Sequence, residues 1–140
     1  MNIRVKKLLD EAIVPSYAYE DDAGCDIYSA EDKVIKPGER IQLRTGLAFE
    51  IPTGYVALLW DKSGLSHRQG IKTMGGVIDS GYRGELLVGL INLSDIEYEF
   101  KKGHKVCQMV IQEKVTATFE EVDELTESHR GEGGFGSSGK

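Results

Sequence analysis

The chain has 140 residues, with 17 Lys plus Arg against 23 Asp plus Glu and a formal net charge of −6 when His is neutral. This is the length of one domain, able to bury roughly two-thirds of its unfolded surface. So acidic a chain is a poor coat for DNA or an anionic membrane, although a few local cations could still grip a small polyanion.

No apolar run approaches a membrane span, and the N-terminus carries no signal-peptide pattern. Cys25 and Cys107 are the only cysteines and form no Cys-x-x-Cys pair. They suit structural thiols in a reducing, cytoplasmic setting. His67, His104 and His129 have no metal-ligand spacing and read as surface residues.

In chain order, almost everything reads as short strands. Residues 1–8 alternate Ile3, Val5 and Leu8 with cations, as a half-buried strand does. Pro15, Tyr17, Tyr19 and the acids at 20–22 form a loop into a strand at 23–29. Residues 34–39 are strand and turn, with Pro37-Gly38 as the turn signal. Residues 40–51 alternate well enough for one or two strands, and 55–60 form a nearly continuous apolar one. The break at 61–68 is the only place for a helical turn, with Ser63 as its cap. Residues 71–78 read as a hairpin with Gly75-Gly76 near its tip. Further strands follow at 84–92, 97–100, 106–115 and 119–122. Strands this closely spaced, with Gly and Pro turns and almost no helix, indicate an all-β barrel or sandwich.

The stretch Gly76-Val77-Ile78-Asp79-Ser80-Gly81-Tyr82-Arg83-Gly84-Glu85-Leu86 stands out. It reads as strand, tight turn, strand, with one carboxylate and one aromatic ring three residues apart. On its own it is equally an ordinary hairpin. The tail is also unusual: Arg130 and Phe135 stand five residues apart among glycines and serines. Glycines let backbone N–H groups turn toward an anion, Arg grips phosphate oxygens, and Phe offers a flat face to a base. The order of a Walker A loop is absent.

Five stretches together resemble one family, the trimeric deoxyuridine triphosphatases (dUTPases). They are Ala23-Gly24-Cys25-Asp26-Ile27, Lys62-Ser63-Gly64-Leu65-Ser66, residues 76–85, Val106-Cys107-Gln108-Met109, and residues 130–139. The resemblance implies a jelly-roll-like distorted β-barrel over residues 1–126. It also implies a flexible arm over 127–140 that closes on the active site, and a homotrimer with sites shared between subunits. The implied reaction is Mg²⁺-dependent hydrolysis of dUTP to dUMP and pyrophosphate, which keeps uracil out of DNA and supplies dUMP for dTTP synthesis.

By the same resemblance, Asp79 would orient the water that attacks the α-phosphorus, a role a carboxylate fills by accepting the proton. Tyr82 would pack under the deoxyribose and leave no room for a 2′-hydroxyl. The backbone at Gly75, Gly76, Val77 and Ile78 would read the uracil edge. Lys62, Ser63, Gly64 and Gln108 would line the phosphates. Arg130 would hold the outer ones, while Phe135, followed by Gly136 and Ser137, would stack over the base. Mg²⁺ would be carried by the phosphates and water, with Asp26 acting on it only through water. Position 62 departs from the family, which more often has Arg there, so the two-pronged grip is lost.

Two rivals stand beside this reading. A dCTP deaminase shares the fold, but its acid–base Glu on the following strand aligns with Gly89 here. A non-catalytic nucleotide-binding module would be marked by loss of Asp79 or of the arm, and both are present.

Overall fold

The computed structural model describes residues 1–134. Their strands form two four-stranded antiparallel sheets and a two-stranded ribbon. The first sheet runs β1 (Arg4–Lys7), β4 (Arg40–Glu50), β8 (Glu85–Asn92), β6 (Ile71–Met74). The second runs β2 (Cys25–Tyr28), β10 (Lys105–Glu113), β5 (Tyr55–Asp61), β7 (Val77–Asp79). β3 (Lys33–Ile35) and β9 (Tyr98–Phe100) make the ribbon. The expected all-β class holds, although hydrogen bonding does not close these sheets into a barrel.

Strand β8 shows why the sequence folds this way. Leu86, Val88, Leu90 and Asn92 are buried, and the residues between them are more exposed. Opposite them, Leu43 faces Val88 and Ile41 faces Leu90 on β4. One continuous core joins these to Ile27, Leu59 and Met109 of the second sheet and to Ile35 and Phe100 of the ribbon. Full burial of an aliphatic or aromatic side chain contributes about 1.5–3 kcal/mol. A buried amide would oppose that if left unbonded. Asn92 is fully satisfied: its Nδ2 donates to the carbonyls of Ile35 (3.1 Å) and Ile96 (2.7 Å), and its Oδ1 accepts from Ser94.

Cys25 and Cys107 are both buried and free. Cys107 lies opposite Ile27 and Cys25 opposite Met109, so the thiols are diagonal neighbours. Diagonal Cα atoms in a sheet are ~7–8 Å apart, too far for a disulfide. Burial pushes the Cys25 thiol up and the Cys107 thiol to about 12.

Residues 40–50 form a single strand, within the one or two expected, with an irregularity between Arg44 and Ala48. Four local expectations change. The helix α1 (Ser63–Gln69) is capped at Lys62 rather than Ser63, without a side-chain cap bond. Residues 71–78 are not a hairpin: β6 pairs with β8 in one sheet, while β7 pairs with β5 in the other. The following turn is no hairpin either, because β7 and β8 also lie in different sheets. Last, residues 119–122 form no strand, and Phe119 is 94% exposed. Their apolar alternation has no sheet edge to pair with among the described residues.

The chain thus crosses from one sheet to the other at Gly75-Gly76 and back again across residues 80–84. Both glycines have positive φ, at 71° and 104°. At Gly76 space is decisive as well, since a Cβ would stand 2.8 Å from the Leu59 carbonyl oxygen. The stretch singled out by sequence is therefore a double crossing between the two layers.

Candidate active site

Asp79 ends β7, exposed, opposite Val56. The turn after it is braced from three sides. Tyr82 N–H donates to the Asp79 carbonyl at 3.1 Å. The Arg83 guanidinium donates to the carbonyls of Ser80 (2.6 Å) and Tyr82 (2.9 Å). The Tyr82 hydroxyl donates to the Glu85 carbonyl at 2.9 Å, which pins the ring while leaving the residue 47% exposed. Asp79 and Tyr82 line a cleft of about 300 Å³ with Val77, Ile78, Gln42 and Leu87. That volume is at the lower end for small-molecule sites.

Beside it lies a hollow of about 220 Å³ lined by Trp60, Asp61, Lys72, Gly75, Gly76 and Val77. Leu59 N–H donates to the Gly76 carbonyl at 2.8 Å, so that carbonyl is taken. Among the described residues β7 has one neighbour, β5, and its other edge is open. An antiparallel ladder alternates which residues face the partner. With Gly76 turned toward β5, Val77 turns its N–H and C=O to the open edge.

The second group of candidate residues gathers elsewhere. Lys62 sits at the cap of α1, with Ser63 and Gly64 exposed in its first turn, where backbone N–H groups lack intrahelical acceptors. The Lys62 ammonium donates to Asp26 Oδ1 at 2.8 Å. Lys105 forms an ion pair with the other oxygen, Oδ2, at 2.6 Å. Asp26 is only 4% exposed. Burial alone would raise its carboxyl. The hydrogen bonds and charges of Lys105 and Lys62 outweigh that and hold it below the usual carboxylate range. Gln108 completes the row, facing Asp26 on β2 and Trp60 on β5.

These two groups do not meet within one chain. Asp79 flanks Val56 near one end of the seven-residue β5, and Lys62 follows its other end. At a rise of about 3.3 Å per residue they are roughly 20 Å apart. Arg130 bonds to its own turn, its Nε donating to the Gly133 carbonyl at 2.6 Å. Phe135, Gly136 and Ser137 lie outside the described residues. A larger hollow, about 560 Å³, is lined by apolar and uncharged residues such as Val5, Phe49 and Ile111, and Asp79 is not in its wall. Among the described residues no three His, Cys, Asp or Glu side chains cluster as a metal cage.

The family model described as dUTPase matches residues 10–139. The chain belongs to the dUTPase family. It is 48% identical to a deoxyuridine 5′-triphosphate nucleotidohydrolase of Nautilia profundicola, over 100% of both chains. A Clostridium tetani protein of the same name is 43% identical over 99% of this chain and 97% of its own. Among solved structures, the Staphylococcus bacteriophage 80alpha dUTPase with dUPNHPP superposes with a TM-score of 0.93 at 34% identity, covering 99% of each chain. A dUTPase from S. aureus phage phi11, studied for a structural Mg(II) ion, gives a TM-score of 0.82 at 31% identity, over 89% of this chain and 98% of that one. The fold is dUTPase-like throughout, and the family is one of hydrolases of nucleotide metabolism.

Sequence reasoning passed over two residues of this dUTPase fold. Lys105 directly precedes the fourth stretch and was not among the candidate site residues. Its ion pair depends on a register shift in the β10–β2 ladder between Lys105 and Cys107, which no local pattern reports. Gln42 lines the Asp79 cleft from the other sheet, and no motif in the sequence singled it out.

Proposed function

We propose that the protein hydrolyses dUTP to dUMP and pyrophosphate, with Asp79 as the acid that activates water. The observation that carries this is the braced turn. It holds an exposed carboxylate and a pinned, half-open tyrosine ring on the wall of one cleft, beside an unpaired strand edge. A nucleotide lying there has its uracil along Val77, its deoxyribose on Tyr82 and its α-phosphate before Asp79.

In the proposed step, a water oxygen forms a bond to the α-phosphorus and its proton passes to the Asp79 carboxylate. The bond from that phosphorus to the α,β-bridging oxygen breaks, and the electron pair leaves with pyrophosphate. Phosphoryl transfer is chiefly positioning and charge stabilisation, so little else is asked of the protein. Tyr82 excludes a 2′-hydroxyl by contact. Val77 selects uracil by pairing its edge, and mispaired polar groups against cytosine discriminate more strongly than size alone.

The phosphates need cations and donors that Asp79 does not have beside it. Lys62, Ser63, Gly64 and Gln108 fit that need, yet stand roughly 20 Å off along β5 in the same chain. The reading therefore includes a homotrimer in which one subunit lends Asp79 and Tyr82 and its neighbour lends the phosphate loop. Residues 127–140 complete it as an arm, with Arg130 on the outer phosphates and Phe135 over the base.

The described residues offer no all-protein cage for a cation, and both Asp26 oxygens face lysines. That suits a Mg²⁺ ion carried by the phosphates and water, which needs no cage. Once bound it would supply charge neutralisation on the triphosphate. Each Asp26 oxygen has a second lone pair beside its lysine, so a role toward the ion through water stays compatible with both pairs. The two buried unpaired thiols support a cytoplasmic setting.

The deaminase reading meets a steric obstacle. At Gly89, where its Glu would stand, a Cβ would be 3.0 Å from the Met74 carbonyl oxygen. Incubation with dUTP, dCTP, UTP and dTTP in Mg²⁺ separates the readings. dUMP and pyrophosphate from dUTP alone support the hydrolase, ammonia from dCTP supports the deaminase, and no product from any of them supports a binding module.

A further inference from the structure

Asp26 is almost fully buried, yet two lysines converge on it, one to each oxygen. One carboxylate neutralises one ammonium, so the cluster carries a surplus positive charge. The two cations come from different elements: Lys105 from the start of β10, Lys62 from the cap of α1 next to the exposed Ser63 and Gly64. A buried carboxylate stripped of its sole partner is strongly penalised. With Lys62 alone, Asp26 would therefore anchor that lysine in place. With Lys105 also present, Lys62 can leave and the carboxylate keeps a partner. Lysine suits such exchange, being a point charge on a flexible stem with no fixed fork to disengage.

We propose that Lys105 is a positioning residue that holds Asp26 so that Lys62 is released to the outer phosphates of the nucleotide. Lys105 itself does not touch the nucleotide. It sets how much of the affinity of Lys62 for phosphate is spent on breaking the pair with Asp26. This inference rests on the dUTP reading above, since it needs a triphosphate at the α1 end.

The test is calorimetric binding of the analogue dUpNHpp and of dUMP to the full chain and to Lys105→Gln, Lys105→Arg, Lys62→Gln and the double Gln variant. Lys105→Gln should bind dUpNHpp about tenfold more weakly, a charge-assisted contact's worth, with dUMP affinity unchanged. Lys105→Arg should restore binding, because it keeps a cation on Asp26. In the Lys62→Gln background, removing Lys105 should cost nothing further, because it acts through Lys62. Thermal midpoints confirm that each variant is folded, and the Arg variant carries the test if the Gln variant is not. Undiminished dUpNHpp affinity in Lys105→Gln overturns the proposal, as does an equal loss for dUMP or a full loss persisting in the Lys62→Gln background. A wild-type chain that hydrolyses dUTP while Lys105→Gln behaves normally sinks this inference alone. A wild-type chain that neither binds dUpNHpp nor hydrolyses dUTP sinks the functional reading with it.

Discussion

Gly84 lies under the Tyr82 ring so closely that a Cβ there would stand 2.5 Å from the Tyr82 hydroxyl oxygen. The glycine is what lets the ring fold back and donate to the Glu85 carbonyl. Gly84→Ala must push the ring off that bond, and a misplacement of about 1 Å near the chemistry can cost ~10²-fold. The expected outcome is a fall of that order in kcat/KM for dUTP and a smaller preference for dUTP over UTP. The turn is exposed, so the thermal midpoint should barely move. Steady-state kinetics on both nucleotides checks it, and wild-type discrimination in this variant would contradict the assigned role of Tyr82.

Asp79→Asn keeps the shape of the turn and removes the proposed proton acceptor. Loss of a positioned general base costs about 10²- to 10⁴-fold. Turnover should fall by that much while dUpNHpp still binds, as measured by calorimetry. The proposed sharing of sites between subunits adds a second expectation. Refolding Asp79→Asn together with Lys62→Gln should yield activity that neither variant has alone, at low dUTP. Mixed subunits then pair an intact Asp79 with an intact Lys62. No recovery would mean that one chain holds the whole site.

Removing residues 130–140 should abolish most turnover without unfolding the domain. Among the described residues none of the core side chains comes from beyond β10, and residues 114–134 form no strand or helix. The far-ultraviolet circular dichroism and the midpoint should match those of the full chain. A truncated protein with full activity would reduce this segment to a tether.

The Asp26 cluster makes a statement about acid. Its carboxyl lies below the ordinary range when folded, through Lys105 and Lys62. Asp61 is lowered too: burial works against it, and Lys72 and the Thr73 N–H prevail. A depressed carboxyl stabilises the fold above its unfolded value of about 3.9, and that stability is lost as pH falls through the folded value. Stability measured by urea titration should hold from pH 7 to about 5 and drop below about 4. Replacing Asp26 by Asn should flatten part of that drop. An unchanged profile would mean that the lysines contribute no net stability.

Strands were legible because burial imposes a period of two, and β8 shows it cleanly with Leu86, Val88 and Leu90. The helix was legible because residues 61–68 break that period. Pairing was not legible. Gly75-Gly76 mark where the chain turns, but a turn signal does not say which sheet receives the next strand. Here β6 and β7 part to different layers, with Gly76 pressed on Leu59. The strand expected around Phe119 failed for the same reason: alternation needs a partner edge to become a strand. Asp79 and Tyr82 were readable because the turn that unites them is local. The partners of Asp26 were not, because Lys62 is 36 residues away and Lys105 meets it only through an irregular register.

The central claim is that water attacks the innermost phosphorus. Hydrolysis of dUTP in ¹⁸O-enriched water, followed by mass spectrometry of both products, tests it directly. The account predicts one heavy oxygen in the phosphate of dUMP and none in pyrophosphate. Label found in pyrophosphate, or release of orthophosphate in its place, would contradict it.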